Sequence, residues 1–227
     1  LLVYERRAFP WSDSPHPFSQ RRVPSTEGNI AFRSPVAGAL HAITADHVVQ
    51  SRVVFPGAGY LEMARAVEGP GAALSGVFFL QPLMVEAPGL HVECAVRDGR
   101  FEVRSGNDDA LTDATVHCAG TLASSDSWSV DHSSMRACVG VRSAHVDALY
   151  DGFDATGLQY GPGYRTLVQA WGGVSDSLAR LQVRLHRQGT QVHPADLDDA
   201  LCTSALTSTG ESGGQTRLPF AVDGAIL

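Results

Sequence analysis

The sequence predicts an α+β fold in which an antiparallel sheet curls around one central helix, with a second, weaker version of the same theme further along. Three observations carry this expectation. The first is a β-prone run, residues 48–55, that stops at Pro56-Gly57 and passes straight into an apolar helix. Tyr60, Leu61, Ala64 and Val67 recur there at helical spacing, and Met63 widens the stripe, so the helix belongs in a core. The second is a series of short β-prone segments separated by turn residues, at 77–85, 90–96, 100–104 and 114–122. The third is a later series of a short helix from Val146, strands at 167–171 and 178–185, and a helix over 193–206.

Taken in order, residues 1–13 lack the periodicity of an element and read as a linker ahead of the first half, residues 14–123. Residues 30–35 and 38–44 suggest a short hairpin before His47. Pro56 suits a first helical position, where its missing N–H would have been unpaired anyway. Gly69-Pro70-Gly71 ends that helix, and Asp98-Gly99 is a tight hairpin turn. The polar, Ser-rich residues 124–140 read as the linker to a second half, residues 141–227, whose last strand lies over 218–227.

Composition narrows the function. The net charge is −7, and all 17 basic residues are Arg with no basic run, which argues against nucleic-acid binding. Cys94, Cys118, Cys138 and Cys202 are widely spaced, without a zinc or disulfide pattern, and reduced cytosolic thiols are the default. No run is long and apolar enough for a membrane span, and the start has neither a signal-peptide order nor an initiating Met, as in a piece of a longer chain.

Two places carry chemistry. Backbone N–H groups at Pro56-Gly57 can hold an oxygen that gains negative charge, within reach of His47. A lone His is commonly structural, and so is a strand–turn–helix junction. The helix after His193-Pro194 begins with Asp196, Asp198 and Asp199. Carboxylates at a helix start are usually solvated and matched to its dipole, which suits Asp196 and extends to Asp199. Asp198 instead shares a face with Leu201, Cys202 and Ala205, so it is the one expected to point inward.

These stretches resemble three motifs of the dehydratase domains of modular type I polyketide synthases. Asp46-His47-Val48-Val49 with the following Val53-Val54-Phe55-Pro56-Gly57 is similar to H-x-x-x-G-x-x-x-x-P, with Ser51 at the Gly position. Residues 157–164 resemble G-Y-x-Y-G-P-x-F, with Leu158 and Tyr164 as departures. Residues 193–202 resemble H-P-A-L-L-D-A-A-L-Q, with Cys202 in place of the Gln or His that would orient the carboxyl group. The resemblance covers about residues 14–227 and implies a double hotdog in one chain, with further strands beyond the last one here.

It also implies dehydration of a β-hydroxyacyl thioester, with His47 as base and Asp198 as acid. Tyr160, Gly57, Pro56, Gly161, Pro162 and Cys202 would surround the substrate. No metal or redox cofactor is implied; the substrate arrives on the phosphopantetheine arm of an acyl carrier protein. Neighbouring synthase domains, a homodimer paired through the first half, and a cytoplasmic setting follow by analogy. Alternatives are a relative that shifts the alkene to the β,γ position or closes a cyclic ether, a non-catalytic scaffold, and an acyl-thioester hydrolase.

Overall fold

A computed structural model describes residues 16–24, 29–69, 72–107, 111, 113–123, 142–207 and 218–226. The linkers expected at 1–13 and 124–140 lie outside the described residues. Antiparallel strands β1 (Arg21–Val23), β2 (Ile30–Pro35), β5 (Ala73–Phe79), β6 (His91–Arg97), β7 (Arg100–Gly106), β8 (Thr115–Ala123) and β12 (Ala221–Ile226) form a seven-stranded sheet in the order β1-β2-β6-β7-β8-β5-β12. Its concave face holds helix α2 (Gly57–Glu68), whose Tyr60, Leu61, Met63 and Ala64 pack on Val77, Val92, Cys94, Phe101 and Val103. Each such side chain, fully buried, contributes about 1.5–3 kcal/mol. The helix starts tight against the preceding strand: a Cβ at Gly59 would overlap the Phe55 ring at 2.7 Å, so only Gly fits there.

The second, three-stranded sheet has the order β11 (Ser177–Leu181), β10 (Leu167–Gly172), β9 (Arg142–Ala144). Helix α3 (Val146–Ala155) and helix α4 (Pro194–Cys202) pack against it. Its core joins Tyr150, Phe153, Leu158, Tyr160, Tyr164 and Leu167 to Val49 and Val54 from the first half. Among the described residues no helix is long and apolar enough to cross a membrane.

The strands at 91–97, 100–106 and 115–123 lie where alternation places them, and Asp98 and Gly99 have the positive φ (49° and 71°) of the expected hairpin turn. Three expectations are corrected. Residues 38–44 form helix α1 (Gly38–Thr44), not a strand, because Leu40, Ile43 and Thr44 bury at helical spacing. Residues 80–85 leave the sheet and run beside the His47 segment, with Phe55 N–H donating to Leu83 O at 2.8 Å and Val85 N–H to Val53 O at 3.1 Å. The last strand, assigned by sequence to the second half, adds to the larger sheet. There β12 pairs with the otherwise open edge of β5, and Phe79 N–H extends the ladder to Phe220 O at 2.9 Å.

The run at 48–55 is itself folded back. Strands β3 (Val48–Val49) and β4 (Arg52–Val53) enclose a turn whose residues Gln50 and Ser51 have φ of 49° and 62°. Ser51 thus occupies a left-handed position that suits Gly, while its N–H bonds Gln159 Oε1 at 2.7 Å. Ser51→Gly keeps that backbone bond, loses an exposed 3.2 Å hydroxyl contact, and relieves the left-handed cost. The expected result is a gain of about 1 kcal/mol, read as a melting temperature roughly 2–4 °C higher.

Candidate active site

The base candidate is held by its own hairpin. His47 backbone N–H donates to Thr44 O at 2.9 Å, and His47 O accepts from Val54 N–H at 3.1 Å. The ring is 3% exposed and its Nδ1 lies 2.7 Å from Val54 O. A carbonyl only accepts, so Nδ1 carries a proton, and in the neutral tautomer this selects, the lone pair sits on Nε2. Nε2 faces Asp198, 3.7 Å from Oδ2.

Asp198 rides on α4, which His193 opens. The His193 Nδ1 accepts from Ala195 N–H at 3.2 Å, and Pro194 takes the first helical position, so the cap is built from the His-Pro pair. Asp198 is buried, as its helix face predicts. Burial pushes its carboxyl above the usual range; His47 opposes this when it is protonated, and hydrogen bonding from Tyr160 and Cys202 does so after it.

Cys202, one turn on, places Sγ 3.9 Å from Asp198 Oδ2 and 3.3 Å from the Tyr160 hydroxyl. Burial and then the Asp198 charge raise the thiol, so it is a weak donor and a poor nucleophile. Tyr160, raised by burial and then by Asp198 and Cys202, stays a neutral phenol; its ring stacks 5.4 Å from that of His47. The structure therefore brings His47, Asp198, Tyr160 and Cys202 together.

Gly161 and Pro162 act one step away. Gly161 N–H donates to Asp46 O at 2.8 Å, and an added Cβ at Gly161 would overlap the Asp46 carboxylate. Pro162 opens a single 3₁₀ turn, Pro162–Tyr164. Pro56 and Gly57 stand at the start of α2, where a Cβ on Gly57 would meet Pro219 Cγ at 3.1 Å and the Phe79 ring at 3.5 Å, rather than His47 or Asp198.

Three supporting groups escaped the sequence reading. Asp46, next to the base, accepts Gly163 N–H on Oδ2 at 2.7 Å and so ties the His47 hairpin to the Tyr160 loop. Asp199 is 1% exposed instead of solvated. It accepts from Thr166 N–H at 2.6 Å, Thr166 Oγ1 at 2.7 Å and Tyr150 Oη at 3.0 Å, and burial pushes its carboxyl up to about 6. Glu62, in the middle of α2, is fully buried. Its carboxylate pairs with Arg65 at 2.7 Å, meets His16 Nε2 at 3.1 Å and accepts Gln191 N–H at 2.7 Å, just ahead of the α4 cap. For all three, the partner lies in a distant part of the chain or the carboxylate stands in a usually solvated position, so local pattern carries no signal.

Residues 16–106 match the family described as polyketide synthase dehydratase domain, and residues 131–225 match the one described as polyketide synthase dehydratase N-terminal domain. The chain belongs to the polyketide synthase dehydratase family. This dehydratase domain is 31% identical over 93% of its length to polyketide synthase GfsA of Streptomyces halstedii, covering 3% of that protein. It is 28% identical over 78% of its length to polyketide synthase PksN of Bacillus subtilis, covering 4% of it. It thus spans between 3% and 12% of the length of such curated relatives. Its fold is that of the dehydratase domain from the CurF module of curacin polyketide synthase, with a TM-score of 0.78 at 23% identity over 93% of this chain and 84% of that one. A trans-AT polyketide synthase dehydratase domain from Brevibacillus brevis gives 0.74 at 24% identity over 92% and 80%. The two sheets and their helices are accordingly a double hotdog.

Proposed function

We propose that the domain removes water from a β-hydroxyacyl thioester carried on the phosphopantetheine arm of an acyl carrier protein, leaving the α,β-unsaturated thioester. One observation carries the reading: the buried His47 Nε2 and the buried Asp198 carboxyl group lie 3.7 Å apart. His47 Nε2 takes the proton α to the thioester carbonyl. The electron pair of that C–H bond forms the new double bond as the β C–O bond breaks, and Asp198 protonates the departing oxygen to make water. The imidazolium and carboxylate left behind are restored by return of one proton from Nε2 to Oδ2. No oxidation accompanies the step, so it calls on no redox cofactor.

The acid role sets a condition on Asp198. At the reference value of ~3.9 only about one carboxyl in a thousand would be protonated at pH 7. Desolvation on α4 works against that ionisation. The Gly57 N–H, at a helix start with no intrahelical acceptor, is our candidate for holding the enolate-like oxygen, with Tyr160 beside the hydroxyl. Neighbouring synthase domains, a homodimer and a cytoplasmic setting belong to the same proposal.

The test is incubation with a synthetic 3-hydroxyacyl thioester and identification of the product by mass and NMR. Loss of water to the α,β-enoyl thioester is the expected result; no turnover would point to a scaffold, and free thiol to a hydrolase. Cys202 in place of an amide or imidazole beside Asp198 favours one second reading, a specialised relative. Its product would be a β,γ-alkene or a cyclic ether.

Because the acid must be protonated, turnover falls as pH rises through the Asp198 value, and its elevation moves that fall toward neutral pH. Asp198→Asn, which keeps the shape but has no carboxyl proton, should lose about 10²–10⁴-fold in kcat and abolish that alkaline limb in a pH–rate profile.

A further inference from the structure

Tyr164 lies beside His47 and also lines a cleft. Its ring lies 5.2 Å from that of His47. It shares the lining of a cleft of about 320 Å³ with Asp46, Gly163, Arg184 and His193. Tyr164 is 1% exposed, and its hydroxyl has no hydrogen-bond partner among the described residues. A buried hydroxyl left unpaired is destabilising and calls for a reason. The motif that residues 157–164 resemble has Phe here, so the hydroxyl is this chain's addition to it.

The neighbouring polar groups narrow what the hydroxyl meets. Asp46 accepts Gly163 N–H at 2.7 Å, and Arg184 is held by Asp196 at 2.8 Å and by Gly163 O at 3.1 Å. His193 is engaged at both nitrogens, with Ala195 N–H at 3.2 Å and Gln188 Oε1 at 3.0 Å. Asp46, Arg184 and His193 thus each have hydrogen-bond partners within the protein, and the Tyr164 hydroxyl is a neutral donor with none among the described residues. Its complement is a neutral acceptor on a slender, polar ligand.

We propose that Tyr164 donates a hydrogen bond to an amide carbonyl of the pantetheine arm as the arm passes along this cleft to present its thioester to His47. The proposal rests on the dehydratase reading for the identity of the arm. The test compares a 3-hydroxyacyl pantetheine thioester with the same acyl group on an amide-free alkyl thiol, in wild type and Tyr164→Phe. The variant should narrow the wild-type preference for the pantetheine ester by about 5- to 10-fold, carried in KM. Equal losses on both esters, or an unchanged ratio, would overturn the proposal. Binding of pantetheine itself, followed by ligand-observed NMR, is independent of turnover. Weaker binding to Tyr164→Phe supports the contact even if the wild type turns over nothing, a result that would sink the dehydratase reading alone; equal binding overturns the contact. Phe fills the same volume, and a retained melting temperature shows that the variant is folded.

Discussion

His47→Ala lowers kcat on a 3-hydroxyacyl thioester by about 10²–10⁴-fold, the usual worth of a positioned general base. The imidazole is the group that faces Asp198 at 3.7 Å, and its tautomer is set by the bond to Val54 O. Losing the ring also strands that buried carbonyl, at about 1–3 kcal/mol. Two readouts separate the chemical role from the structural one. The melting temperature reports the lost bond, while added imidazole should restore part of the turnover if proton abstraction is what was removed. Turnover within threefold of wild type at saturating substrate would rule His47 out as the base.

Glu62→Gln destabilises the fold by about 3–5 kcal/mol, because Arg65, itself buried, is left with an uncompensated charge. Burial alone would raise the Glu62 carboxyl, yet the hydrogen bonds from Arg65, His16 and Gln191 hold it down at about 2. Its folded value lies below its unfolded one, so its contribution is present above about pH 4.5 and is lost as pH falls toward 2. That contribution is about 3 kcal/mol. Asp199 has the opposite sign: a folded value near 6 favours the folded state below about pH 4 and loses that advantage as pH rises through 6. Melting temperatures taken from pH 2 to 8 should therefore fall on the acid side in wild type. Glu62→Gln should lack that acid fall and keep the decline between pH 4 and 6. A variant melting within a degree of wild type at pH 7 would show that the buried pair contributes nothing.

Local pattern reveals the sheet strands and the central helix because each of them states its own burial. His91–Arg97 and Arg100–Gly106 alternate around an Asp-Gly turn, and α2 carries a continuous apolar stripe. Asp198 was legible for the same reason, from the apolar neighbours on its helix face. Asp199 was not, since its burial is created by Tyr150 and Thr166 from elsewhere in the chain. The fold-back at Gln50 and Ser51 was hidden by the β-branched residues on either side, which read as one strand. The departure of Ser51 from the motif's Gly was visible, but its meaning needed the dihedral angle. Glu62 and Arg65 are an i,i+3 pair on a largely apolar helix, but nothing near them in sequence announces Gln191 as a partner.

The His47 hairpin has a further consequence. Gln50 N–H donates to Gly157 O at 2.7 Å, Gln159 N–H to Val48 O at 2.8 Å and Gly161 N–H to Asp46 O at 2.8 Å, so the hairpin is stitched along its length to the other half of the molecule. The proposed base and acid come from opposite sides of that seam, and neither half holds both. An enzyme working as proposed would be silenced by parting the stitches, well before either hydrophobic core has to come apart.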